Sequence, residues 1–213
     1  MMDLDLWGRN RLPGTSAEGL ARLEANPGLR DELRDLLAYR LGRIDSVAPR
    51  LQLPFPCPLS LHTPYTRDEV LAALGHWTRE RQREMREGVL HLPEIRADAF
   101  FVTLHKTEAH FSPTTMYRDY AVNERLFHWQ SQSTTSADSP TGRRYVEHEA
   151  RGHTILLFVR EHRGHHGLSV PFVFLGPARY AGHAGSRPMS ITWELAHPLP
   201  ARLYRQLARL AVA

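Results

Sequence analysis

The chain is nearly devoid of lysine. Of its 27 basic residues only Lys106 is a lysine, so 26 are arginine. A Gly-rich phosphate loop ends on a lysine, and Lys106 follows His105 with no glycine-rich run before it, which excludes a P-loop ATPase. Because His105 and Lys106 are adjacent, the His-x-Lys pair of phospholipase-D-type nucleases is also missing. Neither His-Glu-x-x-His nor Gly-x-Ser-x-Gly occurs, so zincin and serine-hydrolase chemistry lack their motifs. Cys57 is the single cysteine, which leaves no intramolecular disulfide and no cysteine-based zinc site. No apolar run approaches the ~18 residues of a membrane span. The N-terminus, Met-Met-Asp-Leu-Asp, has neither the basic nor the apolar region of a secretory signal. These absences predict a cytoplasmic protein without a cofactor and without catalysis of its own.

What is present is an ordinary core and a basic balance. The 213 residues are 42% apolar, the formal charge is +4 and the pI is about 9.6. Arginine is the better residue for bidentate contacts to phosphate and guanine, although GC-rich codon usage produces the same Arg:Lys ratio.

At 213 residues the chain allows one large domain or two small ones, and its first ~90 residues read as mostly helical. Asn26-Pro27 is a helix start, followed by Leu33, Leu36, Leu37 and Leu41 at roughly helical spacing. Pro49, Pro54, Pro56, Pro58 and Pro64 then define an extended strap. Thr66-Arg-Asp-Glu69 is a capping box opening a short helix closed at Gly75. Residues 77–88 are charged and predict a solvated helix or loop. From Asp98 the pattern changes to strands, over 99–105, 126–132, 154–160, 171–175 and 190–196. Ile155–Val159 is apolar on both faces, which predicts a central strand. Ser139-Pro140 caps a helix running to about Arg151, and Pro200 opens a last helix. The expectation is an α+β fold: a helical N-terminal region with its strap over 1–92, then a curved, mainly antiparallel sheet with flanking helices over 93–213.

Thirteen histidines invite a metal reading. His162, His165 and His166 lie in what reads as a hairpin tip, and no fourth ligand accompanies them, so a solvated loop is expected and no metal. His148 and His153 flank a helix end and suit a capping role or a phosphate contact.

The densest chemistry lies between Phe111 and Ser133. Aromatic rings (Phe111, Tyr117, Tyr120, Phe127, Trp129), amides (Gln130, Gln132) and many hydroxyls share this stretch. Flat faces with paired donors and acceptors suit a planar heterocycle such as a nucleobase.

Several segments resemble one family in order along the chain. They are His62-Thr-Pro-Tyr-Thr-Arg67, Ala99-Phe-Phe-Val-Thr-Leu104, Phe111-Ser-Pro-Thr-Thr115, Asp119-Tyr-Ala121, Phe127-His-Trp-Gln-Ser-Gln-Ser133, Ile155-Leu-Leu-Phe-Val-Arg160, Phe174-Leu-Gly-Pro177 and Gly185-Ser-Arg-Pro-Met-Ser190. The chain is similar to the C-terminal domain of bacterial modification-dependent (type IV) restriction helicases, which follows a phospholipase-D-like nuclease and a DEAD-type helicase. The resemblance implies an SRA/PUA-like reader of 5-methylcytosine or 5-hydroxymethylcytosine in duplex DNA, working by base flipping. It also implies nuclease and helicase partners, on this chain or another.

On that reading Tyr117, Tyr120 and Trp129 would wall the base pocket, Asp119 would accept from the cytosine amine, and Gln130 would read the remaining edge. Phe127 and Trp129 share a strand face and also fit a core; Tyr120 fits one too, and Asp119 also fits a structural turn or cap. Gln132, Ser133, Thr134 and Thr135 precede a helix bearing Arg143 and Arg144 and are expected at the DNA backbone. Lys106, Arg179, His183 and Arg187 lie in or beside loops at strand ends and are further expected contacts. Two other readings stay open: a docking module of a helicase that touches DNA without specificity, and a nucleotide-binding enzyme.

Overall fold

The computed structural model describes residues 2–42, 51–78, 85, 87–104, 119–165 and 168–208. Three helices come first: α1 Met2–Trp7, α2 Ser16–Glu24 and α3 Pro27–Leu41. The Asn26 side chain accepts from the Leu29 amide, and Pro27, which has no N–H to satisfy, begins α3. α4, Arg67–Ala73, opens on the capping box expected at Thr66: its hydroxyl takes the Glu69 amide, and Glu69 returns to the Thr66 amide. α5, Pro140–Val146, and α6, Ala201–Ala208, belong to the second half. No described helix is long and apolar enough to cross a membrane.

The strands are β1 Pro64–Tyr65, β2 Val89–Leu92, β3 Ala97–Thr103, β4 Tyr120–Ala121, β5 Leu126–Gln130, β6 Thr154–Arg160, β7 Gly164–His165, β8 Leu168–Ser169, β9 Phe172–Ala184 and β10 Ser190–Leu195. One open sheet runs β2-β3-β6-β9-β10-β5-β4, with β1 added to β9, and β7 and β8 form a separate small hairpin. Among the described strands only β3 and β6 pair in parallel; every other pairing is antiparallel. The fold is therefore α+β, as expected. β6 is central, with six of its seven residues buried.

β9 differs from expectation. The strand expected over 171–175 starts at Phe172 and continues to Ala184. Register shifts opposite Leu157/Phe158 and Thr192/Trp193 absorb extra residues, and Gly176 takes φ +91° at the first. Such bulges bend a strand and raise its twist, which curves the sheet. The positive φ favours glycine there, and a Cβ at 176 would lie 2.7 Å from Leu61 Cδ1, so that side chain would have to shift.

Each face of the sheet carries an apolar cluster. One joins Phe100, Val102, Phe127, Trp129, Ile155, Leu157, Ile191 and Trp193 to Tyr145 of α5 and Leu207 of α6. The other joins Leu90, Phe101, Leu156, Phe158, Phe172 and Phe174 to Leu4 of α1 and to Val70, Leu71 and Leu74 around α4. Position 92, where a division between two regions was expected, lies inside the second cluster and within the β2–β3 pair.

Candidate functional site

Strand alternation sorts β5 cleanly. Phe127 and Trp129 face the first cluster, while Leu126, His128 and Gln130 point to the other side and are half-buried. Register places Ser190 beside Gln130, Thr192 beside His128 and Tyr120 beside His128. The second apolar cluster draws on β2, β3, β6 and β9 but on none of β10, β5 and β4. This end of the sheet thus shows a face of rings, an amide and hydroxyls. Tyr120 stacks on His128 with centroids 5.0 Å apart and planes 16° from parallel. Asp119 is buried, and its Oδ1 accepts from the Gln130 amide at 2.8 Å, tying the start of β4 to the end of β5.

The Gln130 end of β5 continues into a loop that packs on a second loop. Ser131 is wholly buried; its amide donates to the Met189 carbonyl and its hydroxyl accepts from the Met189 amide at 2.9 Å. The Arg187 amide donates to the Thr135 carbonyl. Arg187 sits at φ 63°, a left-handed conformation that non-glycine residues seldom adopt. These bonds bring exposed Gln132, Ser133 and Thr134 next to exposed Arg187. Ser139 then caps α5 by accepting from the Gly142 amide. A Cβ on Gly142 would lie 2.0 Å from the Ser136 carbonyl oxygen. Gly142→Ala is therefore expected to cost ~1–3 kcal/mol through overpacking against backbone. Thermal melting checks this, and an unchanged midpoint would show that the loop shifts freely.

Several expected contacts are elsewhere. Trp129 is a core ring rather than a pocket wall: it is 6% exposed and packs 4.5 Å from Phe100 and 5.7 Å from Tyr145. Asp119 is buried and its Oδ1 holds the Gln130 amide, a positioning role in addition to the expected one. Thr135 is buried and gives its carbonyl to Arg187. Arg143 is exposed, but Arg144, one residue on, turns inward to a carboxylate. Arg179 is exposed and faces Glu149 at 3.4 Å, which offsets its charge. His183 shares a hydrogen bond with the Tyr180 hydroxyl on the α5 side of the sheet. Lys106 and Tyr117 lie outside the described residues.

The carboxylate that takes Arg144 is Asp98, on β3 and fully buried. Oδ2 accepts from Arg144 Nε at 2.8 Å and lies 3.0 Å from His153 Nε2, while Oδ1 lies 2.9 Å from His91 Nδ1. His148, also buried, lies 3.0 Å from the His153 carbonyl through Nδ1 and accepts from the Tyr180 amide through Nε2. Nδ1 must then carry the proton, so His148 is a neutral internal link. Neither His148 nor His153 is a surface phosphate contact, because both are spent inside this network. Burial holds His153 below its ordinary range despite the pull of Asp98, and burial with Asp98 raises Tyr145.

His91, Asp98 and His153 present donor atoms within 4.8 Å of one another, a two-histidine, one-carboxylate set. Arg144 already holds the positive charge a cation would bring, 2.8 Å from the same carboxylate. The set fits an ion-paired hub better than a metal centre. No local spacing relates positions 91, 98, 144 and 153, so only the fold reveals it. An open depression beside the β4–β5 turn is lined by Asn123, Arg125 and Leu126 with Glu124 and Glu194, and its carboxylates disfavour a polyanion.

An α+β protein with one curved open sheet, covered on both faces at one end and polar on one face at the other, is the class this architecture defines. Residues 59–207 match a family described as a domain of unknown function (DUF3427), and the chain belongs to that family. No curated protein matches it.

Proposed function

We propose that this chain reads modified cytosine, 5-methylcytosine or 5-hydroxymethylcytosine, in duplex DNA as an SRA/PUA-like domain that gives target specificity to a restriction nuclease and helicase. The observation that carries the reading is the polar sheet face on which Tyr120 lies flat against His128 beside Gln130. A ring braced from behind is a stacking platform for an extruded base, and an amide one strand step away can read its edge. The exposed Gln132–Thr134 loop, Arg187 and Arg143 supply backbone contacts around it. The family-like segments support the same reading, since Asp119–Ala121 and Phe127–Ser133 build this face. A second reading, docking to a helicase, is favoured by one observation: Leu36, Leu37, Tyr39 and Leu41 of α3 are more than half exposed.

Gel shifts with duplexes identical except for one modified cytosine separate the two. The reader prefers the modified duplex; equal binding would sink it and leave the docking module. Backbone contacts have their own signature. Arg143→Ala and Arg187→Ala are each expected to weaken modified and unmodified duplexes alike, and to lower the salt slope by roughly one. A loss confined to modified DNA would contradict a phosphate role for them.

A further inference from the structure

Two of the family-like segments end in arginine, at Arg67 and Arg160, and the fold brings both to one ring. The Arg160 guanidinium lies 4.2 Å from the centroid of Phe172, and that of Arg67 lies 5.6 Å from the same centroid and 4.8 Å from that of Phe101. Both sit at the rim of the α4-covered face, where parallel β3 and β6 end with Thr103 opposite Arg160. Arg160 is 8% exposed, a degree of burial that usually demands a carboxylate partner. It has none among the described residues. Nε donates to Thr103 Oγ1, and Nη1 donates to Ser169 Oγ and the Val170 carbonyl. The Nη2 edge makes no protein hydrogen bond among these residues. Arg67 spends Nη1 on the carbonyls of Met85 and Glu87 and forms no ion pair within 4 Å among the described residues. Arg163, exposed at the adjoining β7–β8 hairpin, adds a third positive charge.

We propose that Arg67, Arg160 and Arg163, with the hydroxyls of Thr103 and Ser169, form a binding site for a phosphate-class oxyanion. A structural clamp explains the bonds from Arg160 to Thr103, Ser169 and Val170. It does not explain why three cations gather with Asp68 the one carboxylate among the described residues felt by Arg67 and none felt by Arg160, and planar guanidinium edges match tetrahedral oxyanions in geometry and charge. Both hydroxyls accept from Arg160 and keep their own protons to donate. The mutual repulsion is felt: burial, Arg67 and Arg163 lower Arg160 to about 10, and burial and Arg163 also lower Arg67 against the smaller raising pull of Asp68. A bound dianion would relieve it. The site is separate from the Tyr120 face and stands whether or not modified cytosine is read there.

The test is calorimetric titration of the full chain with inorganic phosphate at constant ionic strength, with chloride as control. Wild-type protein should bind phosphate saturably. Arg163→Gln, at an exposed position, and Arg67→Gln should each weaken it about tenfold, the worth of one charge-assisted hydrogen bond. Absence of saturable binding in the wild type, or equal binding in both folded variants, overturns the site. Given phosphate binding, an unmodified duplex identifies its source. A matching loss of duplex affinity in Arg163→Gln assigns the nucleic-acid backbone, and unchanged duplex affinity assigns a free phosphate or nucleotide. Neither outcome depends on discrimination between modified and unmodified bases.

Discussion

Asp98→Ala is expected to lower the unfolding free energy by ~3–5 kcal/mol, the cost of breaking a buried ion pair from one side. The carboxylate has no exposed surface and receives Arg144, His153 and His91 together. Its removal leaves Arg144 a cation between α5 and the sheet, and leaves two imidazoles without their acceptor. Asp98→Asn keeps the shape and one acceptor oxygen but loses the charge, so its cost should be smaller. Urea denaturation of the two variants measures both, and a change below ~1 kcal/mol, the range of an exposed pair, would mean that the network is not holding α5. The pH dependence follows from His153. Its folded pKa is lowered from 6.5 by burial, as is that of His62, so the unfolded chain binds these protons more tightly. Stability from the neutral imidazoles is fully present above 6.5 and is lost as pH falls below it. In Asp98→Ala the raising pull on His153 disappears, so the decline should continue to lower pH.

Local signals carried much of this architecture. Asn26-Pro27 and Thr66–Glu69 satisfy helix-end amides with side chains three residues away, and that chemistry needs no tertiary context. The doubly apolar run at Ile155–Val159 could only be a covered strand, and it is. What failed was long-range. Alternation puts Phe127 and Trp129 on one face but is silent about which face meets a core, and Trp129 went to the core. Arg143 and Arg144 look alike in sequence, yet adjacent helix positions point about 100° apart. One therefore faces solvent and the other Asp98. β2 was hidden by the charged run before it, and it became a strand because Val89 and Leu90 pair with Phe100 and Ala99. β9 outran its expected end because Gly176 takes a conformation that turns a break into a bulge. The two arginines around Phe172 come from α4 and β6, so nothing in their spacing announces them.

Tyr120→Ala is expected to remove most of the preference for a modified duplex, because stacking of a base on an aromatic ring is worth ~1–3 kcal/mol. His128 braces one face of the Tyr120 ring, and on the proposed reading the base would stack on the other. Gln130→Ala should cost a similar ~1–3 kcal/mol of discrimination through the lost base-edge contact. Both variants should retain the weaker, salt-sensitive binding that phosphate contacts provide. Asp119 separates position from recognition. Its Oδ1 holds the Gln130 amide, and asparagine keeps an oxygen that can do the same. Asp119→Asn should therefore discriminate nearly as well as wild type, whereas Asp119→Ala should not. If Asn fails as badly as Ala, the carboxylate itself meets the base. The assay is competition at fixed salt between duplexes that differ only at the target, with 2-aminopurine beside it to report unstacking. Thermal melting establishes that each variant is folded. Should folded Tyr120→Ala and Gln130→Ala both discriminate as wild type does, or should wild-type binding give no unstacking signal, the base is not read on this face of the sheet.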